Sequence, residues 1–164
     1  MSDQISHREI DRIVSELYRD LDLGTAGDLE TSIDLEGVLG AVLDLPEQKF
    51  LRVAFDLSCL IGVSGDWQLA HDIYSKLEGV KEFTATQQTK LWHTRCLIEL
   101  ERYSEALAIV RAVRWSDSQQ IHVNYLSGLA FESLNMNDDA QVRFAAVHRK
   151  NPNYQDVAQR LRTV

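Results

Sequence analysis

Only two cysteines, Cys59 and Cys96, occur in 164 residues, so the chain has no disulfide framework to lean on. Reduced thiols in a reducing cytoplasm are the expectation from such usage. Prolines number two and glycines eight, which leaves little to interrupt a helical chain. No apolar run approaches the ~18–20 residues that a membrane span needs. The opening stretch, Met1 to Glu9, lacks the basic start and apolar centre of a secretory signal. A cytoplasmic protein that does not enter membranes is therefore expected.

Chemistry-bearing patterns are also missing. There is no glycine-rich phosphate loop and no Gly-x-Ser-x-Gly elbow. His7, His71, His93, His122 and His148 are scattered, and none is spaced with a second ligand for zinc. His71 and Asp72 are sequence neighbours, which a helix points to different sides. His93 and Cys96 are three apart and share a helical face, but a catalytic thiol needs an electropositive, partly open setting. These absences argue against an enzyme, and against a metal or cofactor.

The net charge of −8 is unevenly placed. Residues Met1 to Glu47 hold about a dozen carboxylates against Arg8, Arg12 and Arg19, while the remainder is close to neutral. An acidic chain repels phosphate backbones, so no nucleic-acid partner is expected. The far end reverses sign: after Ala140, Arg143, Arg149, Lys150, Arg160 and Arg162 face only Asp156. The simplest reading of that basic end is solvated helix surface.

What the chain does have is helical periodicity. Ser6 and Glu9 form a capping box ahead of a stripe made by Ile10, Ile13, Val14, Leu17, Tyr18 and Leu21. Gly24 to Asp28 breaks that helix, and a weaker one covers Ile33 to Leu43. Pro46 suits the first turn of the next helix. Helix pairs are then expected over Pro46–Val63 and Trp67–Leu77, Thr84–Leu100 and Ser104–Val113, and Asp117–Leu134 and Asp138–Lys150. Their turns fall at Ser64-Gly65-Asp66, Glu101-Arg102-Tyr103 and Asn135-Met136-Asn137. Ser116 and Gln119 suggest a capping box before the third pair. A last helix, Tyr154 to Arg162, puts Val157 and Leu161 on its apolar side.

The pairs repeat. Ser58, Thr94 and Gly128 are each followed by a large apolar residue three on (Ile61, Leu97, Phe131). Each is followed by an alanine twelve on (Ala70, Ala106, Ala140), and by Tyr74, Val110 or Phe144 four beyond that. The alanines recur every 34 to 36 residues, the period of a helix-turn-helix solenoid. One such unit cannot bury its own apolar face, so neighbours must stack and a terminal element must cover the last.

In these residues the chain resembles the tetratricopeptide repeat family. Tyr125 to Phe131, then Ala140, Phe144, Val147 and Pro152, stand where that family places its small residue, aromatics, alanine and closing proline. Thr94, Leu97, Tyr103, Ala106 and Val110 match in the middle repeat, and Ser58, Ile61, Gly65, Trp67, Ala70 and Tyr74 in the first. The family's tryptophan is replaced by Ala54, Lys90 and Asn124, and its proline by Glu82 and Ser118 in the first two repeats. The resemblance covers Leu51 to the C-terminus. It implies an all-α fold, an α-solenoid of about three helix pairs over 46–164 with a C-terminal capping helix; the acidic helical segment over 1–45 is read from periodicity and charge, outside the resemblance.

The resemblance further implies a protein–protein adaptor that holds a partner protein along the first helix of each pair. By repeat position, that face presents Arg52, Phe55, Cys59, Gln88, Leu91, Trp92, Arg95, His122, Tyr125 and Leu129. The family's carboxylate-clamping lysine and asparagine are replaced by Phe55 and Cys59, which argues against that mode. A secretion chaperone, or a regulatory partner of a small GTPase or polarity complex, are the alternatives. The Ile10–Leu21 stripe must be buried, either as an N-terminal cap or in a weak, salt-sensitive homo-oligomer through the basic end of another chain. The cap is preferred because the first repeat needs cover.

Overall fold

The computed structural model describes residues 47–163, and every regular element among them is an α-helix. The 1–45 segment, with its Ser6–Glu9 capping box and its two expected helices, lies outside the described residues, as does Pro46. Two compact units divide between Thr84 and Ala85. The first holds α1 (Glu47–Ser64) and α2 (Trp67–Glu78). The second holds α3 (Gln87–Glu99), α4 (Tyr103–Ala112), α5 (Gln120–Ser133), α6 (Asn137–Lys150) and α7 (Val157–Thr163).

The turn inside each pair is made the same way. The Asp66 N–H donates to the Ile61 carbonyl at 3.2 Å, Arg102 to Leu97 at 2.8 Å, and Met136 to Phe131 at 2.9 Å. The residue before each donor is left-handed: Gly65 at φ 109°, Glu101 at 60° and Asn135 at 59°. One left-handed residue lets the next amide reach back over the helix end and satisfy a carbonyl that would otherwise be orphaned. Tyr103 and Asn137 already belong to the second helices, so these turns are one residue tighter than the sequence suggests.

Side-chain caps set the helix starts. Asp66 accepts from the Leu69 N–H at 3.0 Å and opens α2. Thr86 and Thr89 form a capping box, each hydroxyl accepting from the other's backbone N–H. Helix α3 therefore begins at Gln87 and not at Thr84. The expected Ser116–Gln119 box does not form. The Gln119 N–H donates to the Ser116 carbonyl at 3.0 Å, and the Ser116 hydroxyl pairs with that of Ser118, so a turn precedes α5. That loop is clamped instead by Gln87, whose amide donates to the Arg114 carbonyl and accepts from the Ser116 N–H, both at 2.9 Å. Helix α7 starts at Val157, with Tyr154 to Asp156 in turns before it.

The first unit closes on Ala54, Leu57, Ile61, Ala70, Ile73, Tyr74 and Leu77. Its small residue Ser58 donates to the Ala70 carbonyl across the helix pair at 2.7 Å. In the second unit Leu97, Ala106, Leu126, Phe131, Ala140, Phe144, Val147 and Val157 form one core. Each large aliphatic side chain there contributes about 1.5–3 kcal/mol by leaving water. Gly128 is a contact point: a Cβ built on it would lie 2.5 Å from the Phe144 ring. At the same repeat position Thr94 turns its hydroxyl back to the Lys90 carbonyl of its own helix at 2.9 Å. The repeat's small position is thus where helices touch in the first and third pairs.

Candidate partner-binding site

The ten expected site residues divide between the two units. Arg52, Phe55 and Cys59 lie on α1; the latter two are half-buried, and the Arg52 side chain lies outside those described. On α3, Gln88 and Arg95 are exposed while Leu91 and Trp92 are half-buried. Spacings of three and four residues place these four on one continuous helix face. Arg95 extends that face by an ion pair to Glu99, with Nε donating at 2.7 Å. On α5, His122, Tyr125 and Leu129 are half-buried along a second stripe. Leu91, Tyr125 and Leu129 also pack against the core, so part of each belongs to the scaffold.

The α5 stripe meets the C-terminal segment. The Tyr125 hydroxyl donates to Asp156 at 2.6 Å, and Asp156 accepts from Arg160 Nε with both oxygens at 3.0 Å. Arg160 also pairs with Glu132, about two helical turns along from Tyr125 on α5, and its guanidinium lies 5.7 Å from the centre of the Phe144 ring. His122 Nδ1 and the Tyr154 hydroxyl are 2.6 Å apart. The Tyr154 ring packs edge-on against Tyr125 at 5.3 Å and against His122 at 5.5 Å.

Electrostatics follow from this ladder. Burial, then the hydrogen bond and charge of Asp156, push the Tyr125 phenol up to about 12. Burial alone would raise the Asp156 carboxyl, but the hydrogen bonds from Tyr125 and Arg160 outweigh it and hold it below the usual carboxylate range. Burial would likewise weaken the Arg160 charge, and the two carboxylates beside it reverse that. The ladder is therefore charged on Asp156 and Arg160, and neutral on Tyr125.

Two readings of the sequence are corrected here. The basic end is not simply solvated: Arg160 is engaged by Asp156 and Glu132, and Arg143 donates to Asn124 at 3.1 Å. His71 and Asp72 do approach, at 3.7 Å, while the buried His71 ring also lies 3.4 Å from the Ser75 hydroxyl. The residues that sequence reasoning missed are Glu132, Tyr154, Asp156 and Arg160. One signal was available, the four-residue spacing that lets Asp156, just ahead of α7, meet Arg160 on its first turn.

Cys96 is fully buried, and burial pushes its thiol up to about 12, so it is protonated and shielded rather than nucleophilic. Among the described residues, no group of three histidine, cysteine or carboxylate side chains could hold a metal ion, and no helix is long and apolar enough to cross a membrane.

Comparison with known proteins bears on the architecture. No family model matches the chain, and no curated protein matches its sequence. Among solved structures it matches MamA 41-end from Desulfovibrio magneticus RS-1 with a TM-score of 0.59. The match covers 92% of this chain and 80% of that one, at 17% identity. The fold is a helical repeat. It is tetratricopeptide-like in its antiparallel pairs and in the small residues where they touch.

Proposed function

We propose that this chain is a tetratricopeptide repeat adaptor that holds a partner protein on the first-helix face of its repeats. The observation that carries the reading is the face of α3. There a half-buried tryptophan and leucine, Trp92 and Leu91, stand between the exposed Gln88 and Arg95. Large amphipathic aromatics beside arginine dominate binding energy at protein interfaces. Half-burial matters for the cost: the ring is pre-positioned by the scaffold, so little side-chain freedom is lost on docking. His122, Tyr125 and Leu129 of α5 extend the proposed surface by repeat position, and Arg52, Phe55 and Cys59 are the matching candidates on α1 of the first unit. The adaptor works in the cytoplasm, without cofactor, nucleic acid or membrane.

The test is Trp92→Ala in the full chain, with the partner recovered by copurification and identified, and its affinity then measured. Binding should weaken by about 1–3 kcal/mol while the thermal melt stays near that of the parent. An unchanged affinity accompanied by a lowered melt would return Trp92 to the scaffold and remove the α3 face from the proposal.

A further inference from the structure

We propose that one end of the second unit is a docking edge for the acidic 1–46 segment of a second copy of this chain. The inference goes beyond the adaptor reading and does not depend on the α3 face. The edge is made where the second helices stop. Arg111 lies in the last turn of α4 and Arg114 in the loop after it, and Arg149 and Lys150 close α6. All four side chains are exposed. Because α5 runs back between α4 and α6, the two second helices finish at the same end of the unit.

Charges in this unit are sorted by end. Toward the turns inside the pairs the arginines are matched: Arg95 with Glu99, Arg102 with Glu105 and Arg160 with Glu132. At the other end Arg111, Arg114, Arg149 and Lys150 form no ion pair among the described residues. Of the carboxylates near them, Asp156 is already taken by Tyr125 and Arg160, which leaves Asp117. Helix dipoles offset part of the excess. The carbonyl ends of α4 and α6 together carry about one negative charge, which four cations exceed. The edge is also held in shape. Gln87 fixes the Arg114 carbonyl and the Ser116 N–H, and the Trp115 indole donates to the Val110 carbonyl at 2.9 Å. A loop fixed in this way loses little freedom when a partner docks.

The chain itself supplies the complementary charge. Residues 1–46 hold eleven carboxylates against Arg8, Arg12 and Arg19, which accounts for the whole net charge of −8. The Ile10–Leu21 stripe of that segment is expected to cover the first repeat of its own chain, which leaves the neighbouring carboxylates to meet another copy. Nucleic acid is the weaker candidate, because the chain as a whole repels phosphate. An edge on one copy and a segment on the next make a head-to-tail contact, so association should grow with concentration.

The probe is a labelled synthetic peptide of residues 1–46, mixed with the full chain kept dilute so that copies do not compete. At about 0.01 M salt charges act over about 30 Å and the peptide should bind. At about 0.15 M, where the reach is about 8 Å, binding should weaken by about tenfold or more. Arg114→Glu with Arg149→Glu should cost about tenfold or more at the lower salt. Arg114→Lys with Arg149→Lys keeps the charge and should keep the binding. Should the reversed chain fail to fold, Arg114→Gln with Arg149→Gln replaces it and must still weaken the peptide. Sedimentation of the full chain at the lower salt should show mass rising with concentration, while the reversed chain stays a monomer. A peptide that binds the parent and reversed chains alike, or ignores salt, overturns the inference. So does a full chain that is monomeric at every concentration. A single-stranded oligonucleotide that binds the edge more tightly than the peptide assigns it to nucleic acid and overturns the proposal as well.

Discussion

Glu101 occupies a left-handed conformation at φ 60°, where the first repeat has Gly65 and the third Asn135. An L side chain there crowds its own carbonyl, and glycine removes that strain while adding freedom to the unfolded chain. The first effect is the larger, so Glu101→Gly should stabilise by about 0.5–1 kcal/mol in a denaturant melt. Gly65→Ala should do the reverse by about 1 kcal/mol, because its Cβ would meet nothing within 4 Å and only backbone strain changes. Gly128 is the opposite kind of glycine. Alanine there gains about 1 kcal/mol of helix propensity, but its Cβ would press on a ring that is fully buried and has no room to yield. Overpacking wins, and Gly128→Ala should destabilise by about 1–3 kcal/mol. Phe144→Val, which supplies the residue standing at that position in the middle repeat, should recover part of the loss in the double variant. If Gly128→Ala costs as much in the Phe144→Val background as in the parent, the contact is not the cause.

At the scale of elements, periodicity and punctuation made the pairs legible. The period of the alanines located α2, α4 and α6, and the small residues Ser58, Thr94 and Gly128 set the phase of α1, α3 and α5. Helix starts were less legible, because side-chain hydrogen bonds decide them among several eligible residues. Thr84, Thr86 and Thr89 all look like caps, yet only Thr86 and Thr89 reciprocate. Ser116 and Gln119 have the spacing of a box, but Gln87, 29 residues earlier than Ser116, takes the Ser116 N–H. The same limit applies to the candidate site. The α3 and α5 positions follow from counting within a repeat. The partners of His122 and Tyr125 lie 32 and 31 residues away, a tertiary pairing that charge composition reads as exposed surface.

At the scale of the whole molecule, the fold keeps two acids protonated among the described residues, Tyr125 and Cys96, each pushed up to about 12. An acid whose pKa is raised on folding holds an extra proton in the native state across the window between its two values. Its contribution is complete below the unfolded value and disappears as pH climbs through the folded one. The windows run from 10.0 for Tyr125 and from 9.0 for Cys96 up to about 12. Melts from about pH 8 to about pH 12 should therefore fall in midpoint, and Tyr125→Phe should flatten part of that fall. An identical slope in the variant would show that the phenol is not held by the fold.

The two thiols have a use in the laboratory that follows from their placement, one in each unit. Cys59 on α1 is half-exposed, whereas Cys96 on α3 is sealed in the core. A thiol reagent therefore marks the two units on different clocks: Cys59 reports surface access, and Cys96 reacts only when α3 opens. The chain carries its own pair of timers, one for each half, with no label site to engineer.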